Sequence, residues 1–164
     1  MTTNLFINDL LHDFSGFIGV FTRDNLPAIK PVKSGCLSLV VNTNSIYDTQ
    51  VGHWLLISFI FYEREIQICE LFDSLNLGLR ALHDDIYLYI KRLKVNIKYN
   101  YREIQSVTSN FCGFFCICRF LSILVSEPLT SFLSKFEYHD LDKNDALSTH
   151  LINQYLNVIK VQGR

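Results

Sequence analysis

The chain has 164 residues, enough for one domain with a sizeable core and too few for two ordinary ones, so we expect a single domain over residues 1–164. Hydrophobic residues make up 49% of it and charged residues 19%, a balance that excludes a disordered or fibrous protein. The formal net charge of -1 argues against general electrostatic attraction to nucleic acid, because that attraction comes from basic groups that displace counterions at phosphates.

The first half of the chain predicts one helix followed by strands. Apolar residues at helical spacing predict a short helix over residues 4–12, with Asn4 as its cap. Four segments rich in β-branched and aromatic residues are typical of strands, and they span residues 16–21, 36–41, 53–62 and 65–72. The last two are separated by Glu63 and Arg64, a length that joins antiparallel neighbours, so we expect a hairpin.

The second half mixes helices with one more strand. Residues 80–94 carry apolar side chains on one stripe and predict an amphipathic helix, and residues 97–104 alternate as a strand does. Residues 112–125 are apolar almost all round, which indicates a buried helix that Pro128 ends, and a last helix is expected over 145–158. This order predicts an α+β domain whose central mixed or antiparallel sheet packs against the buried helix.

Cys112 is the strongest candidate for a reactive group. It lies between the polar stretch that begins at Gln105 and the predicted buried helix, so its sulfur falls at a helix N-terminus. The partial positive charge there favours thiolate over thiol, and thiolate is the nucleophilic form. The alternative is a small core cysteine, which is the usual environment of a free cysteine.

A base and an acid are expected on the predicted hairpin. His53 starts one of its strands and Asp73 ends the other, and the outer ends of paired strands are neighbours. An Asp73 carboxylate in that position can hold the tautomer of the His53 ring, as a catalytic triad requires, although a strand-end turn would also explain it. Gln105 carries an amide that, with the backbone N–H of Cys112, can stabilise an oxyanion; otherwise it is a surface side chain.

A metal site is not expected. The spacing of Cys112, Cys116 and Cys118 is not the pair-and-pair pattern of structural zinc, and two of them fall inside the apolar helix. Cys36, Cys69, Cys116 and Cys118 are better interpreted as small core residues.

Several features bear on location. The crowded cysteines do not form the spread framework of a secreted domain, and the first residues lack the pattern of a secretory signal. The longest apolar run, near 111–125, is interrupted by Arg119 and is too short to cross a membrane. We therefore expect an intracellular protein of the cytosol or nucleus with no membrane partner.

Basic residues cluster between Lys91 and Arg102, which favours a solvated helix face and leaves weak DNA binding as a minor alternative.

The ordered set Gly52-His53-Trp54, Phe72-Asp73, Gln105 and Cys112-Gly113 resembles the adenovirus maturation protease (adenain) family and its relatives in Maverick/Polinton-type elements and DNA viruses. The order histidine, acid, cysteine also belongs to proteases of ubiquitin-like modifiers, whereas papain-like enzymes place the cysteine first. The similarity covers roughly residues 14–128, and a weaker similarity extends over residues 144–156.

The resemblance implies a nucleophile at Cys112, a base at His53, an orienting acid at Asp73 and an oxyanion donor at Gln105. It also implies the fold of that family and cleavage after glycine in segments with an aliphatic residue upstream. The substrates it implies are capsid-type structural precursors, with the protease packaged in virus particles.

The resemblance further implies that Trp54 and Gly113 form the substrate-binding wall of the site.

The chain differs from the adenain pattern in two respects. Adenain has glutamate where this chain has Asp73, which matches the proteases of ubiquitin-like modifiers. Adenain is also activated by DNA and by a peptide disulfide-linked to a cysteine upstream of the glutamine, yet this chain has no cysteine between 70 and 111. The sequence therefore shows no required cofactor, and a DNA or peptide activator rests on the resemblance alone.

The leading prediction is a cysteine endopeptidase that cleaves after glycine during maturation of a virus or virus-like element. A second enzyme prediction is a deconjugating protease for ubiquitin or a related modifier, and a third is an acetyltransferase with the same triad. The non-enzyme alternative is a degenerate interaction module that keeps the protease fold.

Overall fold

The computed structural model describes residues 3–49 and 52–163, except for the side chain of Arg80. These ranges contain five α-helices and five strands. Residues 1, 2, 50, 51 and 164 of the predicted domain lie outside the described residues. The helices are α1 (Asn4–Leu11), α2 (Asp84–Lys91), α3 (Cys112–Leu124), α4 (Leu129–Ser134) and α5 (Lys143–Val161). The strands are β1 (Phe17–Thr22), β2 (Ser34–Asn42), β3 (Trp54–Tyr62), β4 (Glu65–Phe72) and β5 (Asn96–Tyr99). The predicted α+β class is confirmed.

The strands form one mixed sheet in the order β1-β2-β3-β4-β5. The central pairs β2–β3 and β3–β4 are antiparallel, and the outer pairs β1–β2 and β4–β5 are parallel. The predicted hairpin joins β3 to β4 through Glu63 and Arg64, whose φ angles of 50° and 69° lie in the left-handed region. Two such residues make the turn whose twist matches that of the flanking strands.

Both faces of the sheet are covered, which explains why β3 is apolar along most of its length. Successive side chains of a strand point to opposite faces, so Leu56 and Ile57 belong to different clusters. Ile57 packs in the cluster that includes Ile86 and Ile90 of α2. Leu56 packs in the larger cluster formed with α1, α3, α4 and α5.

Helix α3 crosses the middle of this larger cluster and is tied to the sheet by a buried ion pair. The Nε and Nη2 atoms of Arg119 donate to the two carboxylate oxygens of Glu70 on β4, at 2.8 and 2.9 Å. Its Nη1 donates to Ser122 and to the carbonyl of Glu127. Arg119 therefore interrupts the apolar sequence of α3 without lying at the surface.

Some predicted boundaries were wrong for local reasons. The helix expected over 80–94 is limited to α2, because His83 has an extended backbone and caps it through a bond from the Asp85 N–H to its Nδ1. A 3₁₀ turn, Leu79–Ala81, precedes it. The strand expected over 97–104 ends at Tyr99, since the Asn100 side chain bonds the backbone of the neighbouring segment instead. The cap of α1 is Thr3 rather than Asn4.

Helix α4 was missed by the sequence reasoning. Pro128 was expected to end the preceding helix, but α3 ends at Leu124 and Pro128 is the N-cap of α4. Proline suits the start of a helix because its fixed φ is helix-compatible and its missing N–H is not needed there. Helix α5 extends beyond the expected 145–158 at both ends.

No helix in the described ranges is long and apolar enough to cross a membrane.

Candidate functional site

His53 lies immediately before β3, which begins at Trp54 rather than at the histidine as expected. Its backbone is fixed by Thr43, the residue that follows β2. The His53 N–H donates to the Thr43 hydroxyl at 2.9 Å, and the Thr43 N–H donates to the His53 carbonyl at 2.8 Å. The imidazole is therefore presented from a backbone position held by two bonds.

Gly52 has a steric role in this presentation. A methyl group at its α-carbon would lie 2.2 Å from Oδ1 of Asn42 and 2.7 Å from the side chain of Asn44. Real contacts of a β-carbon essentially never fall that short, so a larger residue would force the Asn42 and Asn44 side chains, or the segment that carries His53, to move. The glycine of the Gly52-His53-Trp54 motif is thus explained by close packing.

Asp73 lies directly after β4 and reaches the His53 ring. Its Oδ1 is 2.6 Å from Nε2 of His53, and an ionised carboxylate is acceptor-only, so Nε2 carries the hydrogen. Oδ1 also accepts from the Leu75 N–H, and Oδ2 accepts from the Leu77 N–H. These bonds fix the rotamer of a carboxylate that is only 4% exposed.

Asn100 clamps the backbone of Asp73, a role that the sequence reasoning did not find. Its Oδ1 accepts from the Asp73 N–H at 2.9 Å, and its Nδ2 donates to the Asp73 carbonyl at 2.6 Å and to the Arg102 carbonyl. The side chain is fully enclosed. The only sequence signal was an asparagine in a segment that otherwise alternates as a strand does.

Cys112 is the first residue of α3 and is 9% exposed. Its side chain lies near enough to the imidazole of His53 to raise the pKa of that ring. Because Nε2 is occupied by Asp73, Nδ1 is the ring nitrogen that remains for the thiol. As the first helical residue, Cys112 also has a backbone N–H without an intrahelical acceptor. The structure thus brings Cys112, His53 and Asp73 together in that order.

The ionisation of His53 reflects these neighbours. Burial lowers its pKa, but the hydrogen bonds to Asp73 and Cys112 and their negative charges outweigh burial and raise the pKa from the usual 6.5 to about 9. The imidazole is therefore protonated at neutral pH. A protonated imidazole stabilises a neighbouring thiolate.

Gln105 is 1% exposed, so it is not a surface side chain. Its Oε1 accepts from the Ser74 hydroxyl at 2.5 Å, and its Nε2 donates to the Ser109 carbonyl at 2.9 Å. The carbonyl of Ser74 also accepts from the backbone N–H groups of Ile104 and Gln105. One hydrogen of the Gln105 amide is used by Ser109, and the amide carries a second one.

Ser109 organises the turn between Gln105 and Cys112. Besides accepting from Gln105 through its carbonyl, it accepts the Phe111 N–H at its hydroxyl and donates that hydroxyl to Asp145 of α5 at 2.8 Å. The sequence reasoning did not single out Ser109 or Asp145. Their spacing of 36 residues leaves no local signal.

The two residues expected at the site wall lie close to this group. Trp54 is 4% exposed and belongs to the same packed cluster as Cys112, so most of its indole is internal. Gly113 is the buried second residue of α3. Both are neighbours in sequence of His53 and Cys112, and their role as a substrate-binding wall stays a prediction.

The other four cysteines differ from Cys112 in their surroundings. Burial raises the pKa of each thiol, to about 12 at Cys69 and well above the ordinary value at Cys116 and Cys118, with a smaller rise at Cys36. Cys69, Cys116 and Cys118 are buried core thiols, whereas Cys36 is only partly buried, and the raised pKa of each leaves little thiolate at neutral pH. Within the described ranges, no group of three or more histidine, cysteine or acidic side chains is arranged to hold a metal ion.

Comparison with known proteins adds no assignment: no model of a known protein family matches the chain, and no curated protein matches it. The resemblance to the adenain family rests on the residues of this chain.

Proposed function

We propose that this chain is a cysteine endopeptidase that cleaves after glycine in structural precursor proteins of a virus or virus-like element. One observation carries the proposal. The imidazole of His53 interacts with the Cys112 side chain and lies 2.6 Å from Asp73, so a sulfur nucleophile, a base and an orienting carboxylate form a connected chain.

In the proposed resting site, the proton of the Cys112 thiol already lies on Nδ1 of His53, so the two side chains form a thiolate–imidazolium pair before substrate binds. Asp73 keeps the ring in the correct tautomer by accepting from Nε2. The thiolate attacks the scissile carbonyl carbon, and the carbonyl electron pair moves to oxygen. The backbone N–H of Cys112 and the second N–H of Gln105 are the donors proposed for that oxyanion.

Collapse of the tetrahedral intermediate breaks the carbon–nitrogen bond, and the leaving amine takes the proton from Nδ1 of His53. A thioester to Cys112 remains. In the second half, His53 takes a proton from water while the hydroxide attacks the thioester. Breaking of the carbon–sulfur bond releases the carboxylic acid and restores the thiolate.

The adenain family resemblance supplies the substrate class in this proposal. It suggests glycine before the scissile bond, an aliphatic residue upstream and capsid-type precursors as substrates. It also suggests DNA or a peptide as an activator, and the chain would act inside cells or in virus particles.

Deconjugation of ubiquitin or a ubiquitin-like modifier is the second candidate. The observation that favours it is the acid itself, since Asp73 matches the branch of proteases that act on such modifiers. A modifier ending in Gly-Gly presents the same small residues at the scissile bond.

The proposal is tested by cleavage of two substrate sets, each with and without DNA and candidate activating peptides. One set consists of capsid precursors with internal glycine sites, and the other of ubiquitin-like fusions. Cleavage after glycine that disappears in Cys112→Ser supports the endopeptidase, and cleavage of the fusions alone supports the deconjugase. Failure to cleave either set under every condition would leave an interaction module as the better account.

A further inference from the structure

A cavity of about 430 Å³ opens beside Trp54, at the end of the sheet that carries His53. Its apolar wall includes Trp54 and the β1 residues Val20 and Phe21. Polar side chains face them, among them Asn25, Asn42 and Asp48. A cavity with an apolar wall and a few polar groups is suited to one long side chain of a ligand.

The cavity adjoins the candidate active site through the sheet itself. Asn42 pairs with Trp54 across β2 and β3, and the next residue, Thr43, holds the backbone of His53. Asp73 lies on the β4 side of His53, whereas the cavity lies on the β2 and β1 side. A peptide bound at Cys112 would reach the cavity if it ran past His53 towards β1.

The charge of the cavity is negative. Among the described residues that line it, Asp48 is the only charged one. The Ser45 N–H donates to Oδ2 of Asp48 at 2.7 Å, and Nη2 of Arg23 lies 3.7 Å from the same oxygen. Oδ1 takes part in neither contact. Asp48 thus keeps acceptor capacity for a donor inside the cavity.

The charged residues around the cavity leave its net charge negative. Arg23 is the nearby cation, but its Nη1 is also 3.9 Å from Asp85 and has no hydrogen-bond partner within the described part of the chain. A hydrogen bond from Thr22, with a smaller effect of the one from the Ile46 N–H, lowers the pKa of the Asp24 carboxyl group. Three carboxylates, Asp24, Asp48 and Asp85, therefore face one guanidinium.

On the basis of the proposed function, we infer that this cavity is a specificity subsite for a basic side chain, lysine or arginine, within three residues of the scissile bond of the substrate. The aliphatic stem packs against Trp54 and Val20, which share one face of the sheet, and the charged end binds Asp48. An extended peptide advances about 3.3 Å per residue, so three residues span about 10 Å.

The inference is tested with internally quenched glycine peptides that carry arginine or citrulline at one position. Citrulline has nearly the shape of arginine and no charge. The position is varied over the three residues on each side of the scissile bond, and kcat/KM is measured for each pair. We expect wild type to favour arginine about fivefold at one position, since a half-exposed ion pair contributes modestly. The preference should weaken as salt is added.

Asp48→Asn should bring that ratio close to one, because asparagine still accepts the Ser45 N–H but carries no charge. Asp13→Asn is the matched control, since Asp13 is a largely exposed carboxylate outside the cavity lining, and it should keep the wild-type ratio. Equal rates for arginine and citrulline at every position would overturn the inference.

Binding separates this inference from the proposed function. The same peptide pairs are titrated into Cys112→Ala and their affinities compared. The subsite is supported if Cys112→Ala binds the arginine peptide more tightly than the citrulline peptide and the Cys112→Ala/Asp48→Asn double variant does not. This holds even where wild type cleaves no peptide. Absence of cleavage would overturn the protease proposal alone. Equal affinities would overturn the subsite.

Discussion

At the scale of single residues, the ionisation of His53 sets the chemistry of the site. Two acidic neighbours act on one imidazole and raise its pKa to about 9, against the effect of burial. The thiols of Cys116 and Cys118 are enclosed in the core, and burial raises their pKa. Reactivity at neutral pH is therefore expected at one cysteine of five.

The first prediction concerns pH. The imidazolium is present below its pKa and is lost as pH rises through about 9, so kcat/KM should fall on an alkaline limb near that value. Asp73→Asn removes a group that raises the pKa, and the limb should move down towards the usual 6.5. The comparison is a pH profile of glycine-peptide cleavage, with Asp13→Asn as control. An unmoved limb in Asp73→Asn would contradict this assignment.

The second prediction concerns Asn100. Asn100→Ala leaves the buried N–H and C=O of Asp73 without their partners, and we expect the free energy of unfolding to fall by about 2–4 kcal/mol. Asn153→Ala removes an exposed amide bound only to the Thr149 carbonyl and should change stability by less than about 0.5 kcal/mol. Urea denaturation measures both. Equal effects would show that Asn100 does not clamp Asp73.

At the scale of elements, the site depends on how α3 is attached to the sheet and on the turn before it. Glu70 and Arg119 join β4 to α3 by two hydrogen bonds inside the core. The turn from Gln105 to Cys112 is attached to β4 through Ser74 and to α5 through Asp145. Each anchor connects segments that are distant in sequence.

The third prediction tests the buried ion pair. Arg119→Met leaves the Glu70 carboxylate buried and unpaired, so we expect a loss of about 3–5 kcal/mol in the free energy of unfolding. The double variant Arg119→Met/Glu70→Met removes both charges and should recover most of that loss. Denaturation of the two variants and wild type measures the difference. A double variant as unstable as the single one would contradict the prediction.

The fourth prediction tests the turn before Cys112. Ser109→Ala removes the acceptor of the Phe111 N–H and the bond to Asp145, so the Gln105 amide is held less firmly. We expect kcat to fall about tenfold with little change in KM, because the oxyanion is a transition-state charge. Ser106→Ala, which loses only a contact to Thr108, is the control and should retain kcat. A loss confined to KM would argue against this role.

Sequence patterns predicted the elements whose signal is local. The Glu63-Arg64 connection identified the hairpin, and that hairpin sets His53 and Asp73 side by side. Helix α4 and the early end of β5 were not predicted because their sequence signals are ambiguous or depend on distant contacts. Pro128 suits a helix start as well as a helix end, and Asn100 leaves the ladder to bond Asp73.

At the scale of the whole molecule, the candidate site combines segments around residues 43, 53, 73, 100, 105 and 112 at one end of a mixed sheet. The order of these segments was visible in the sequence, but their distances were not. The links through Asn100 and Ser109 come from packing between remote parts of the chain, which no local periodicity records.

The central claim is that Cys112 is a nucleophile in a site that accepts glycine. The most direct measurement is mass spectrometry of the folded wild-type protein after treatment with a glycine-ended electrophile, with and without DNA and candidate peptides. We predict one adduct, on Cys112, that is lost in His53→Ala while the remaining cysteines stay unmodified. Absence of a Cys112 adduct under all conditions, or equal labelling of Cys36, would contradict the account.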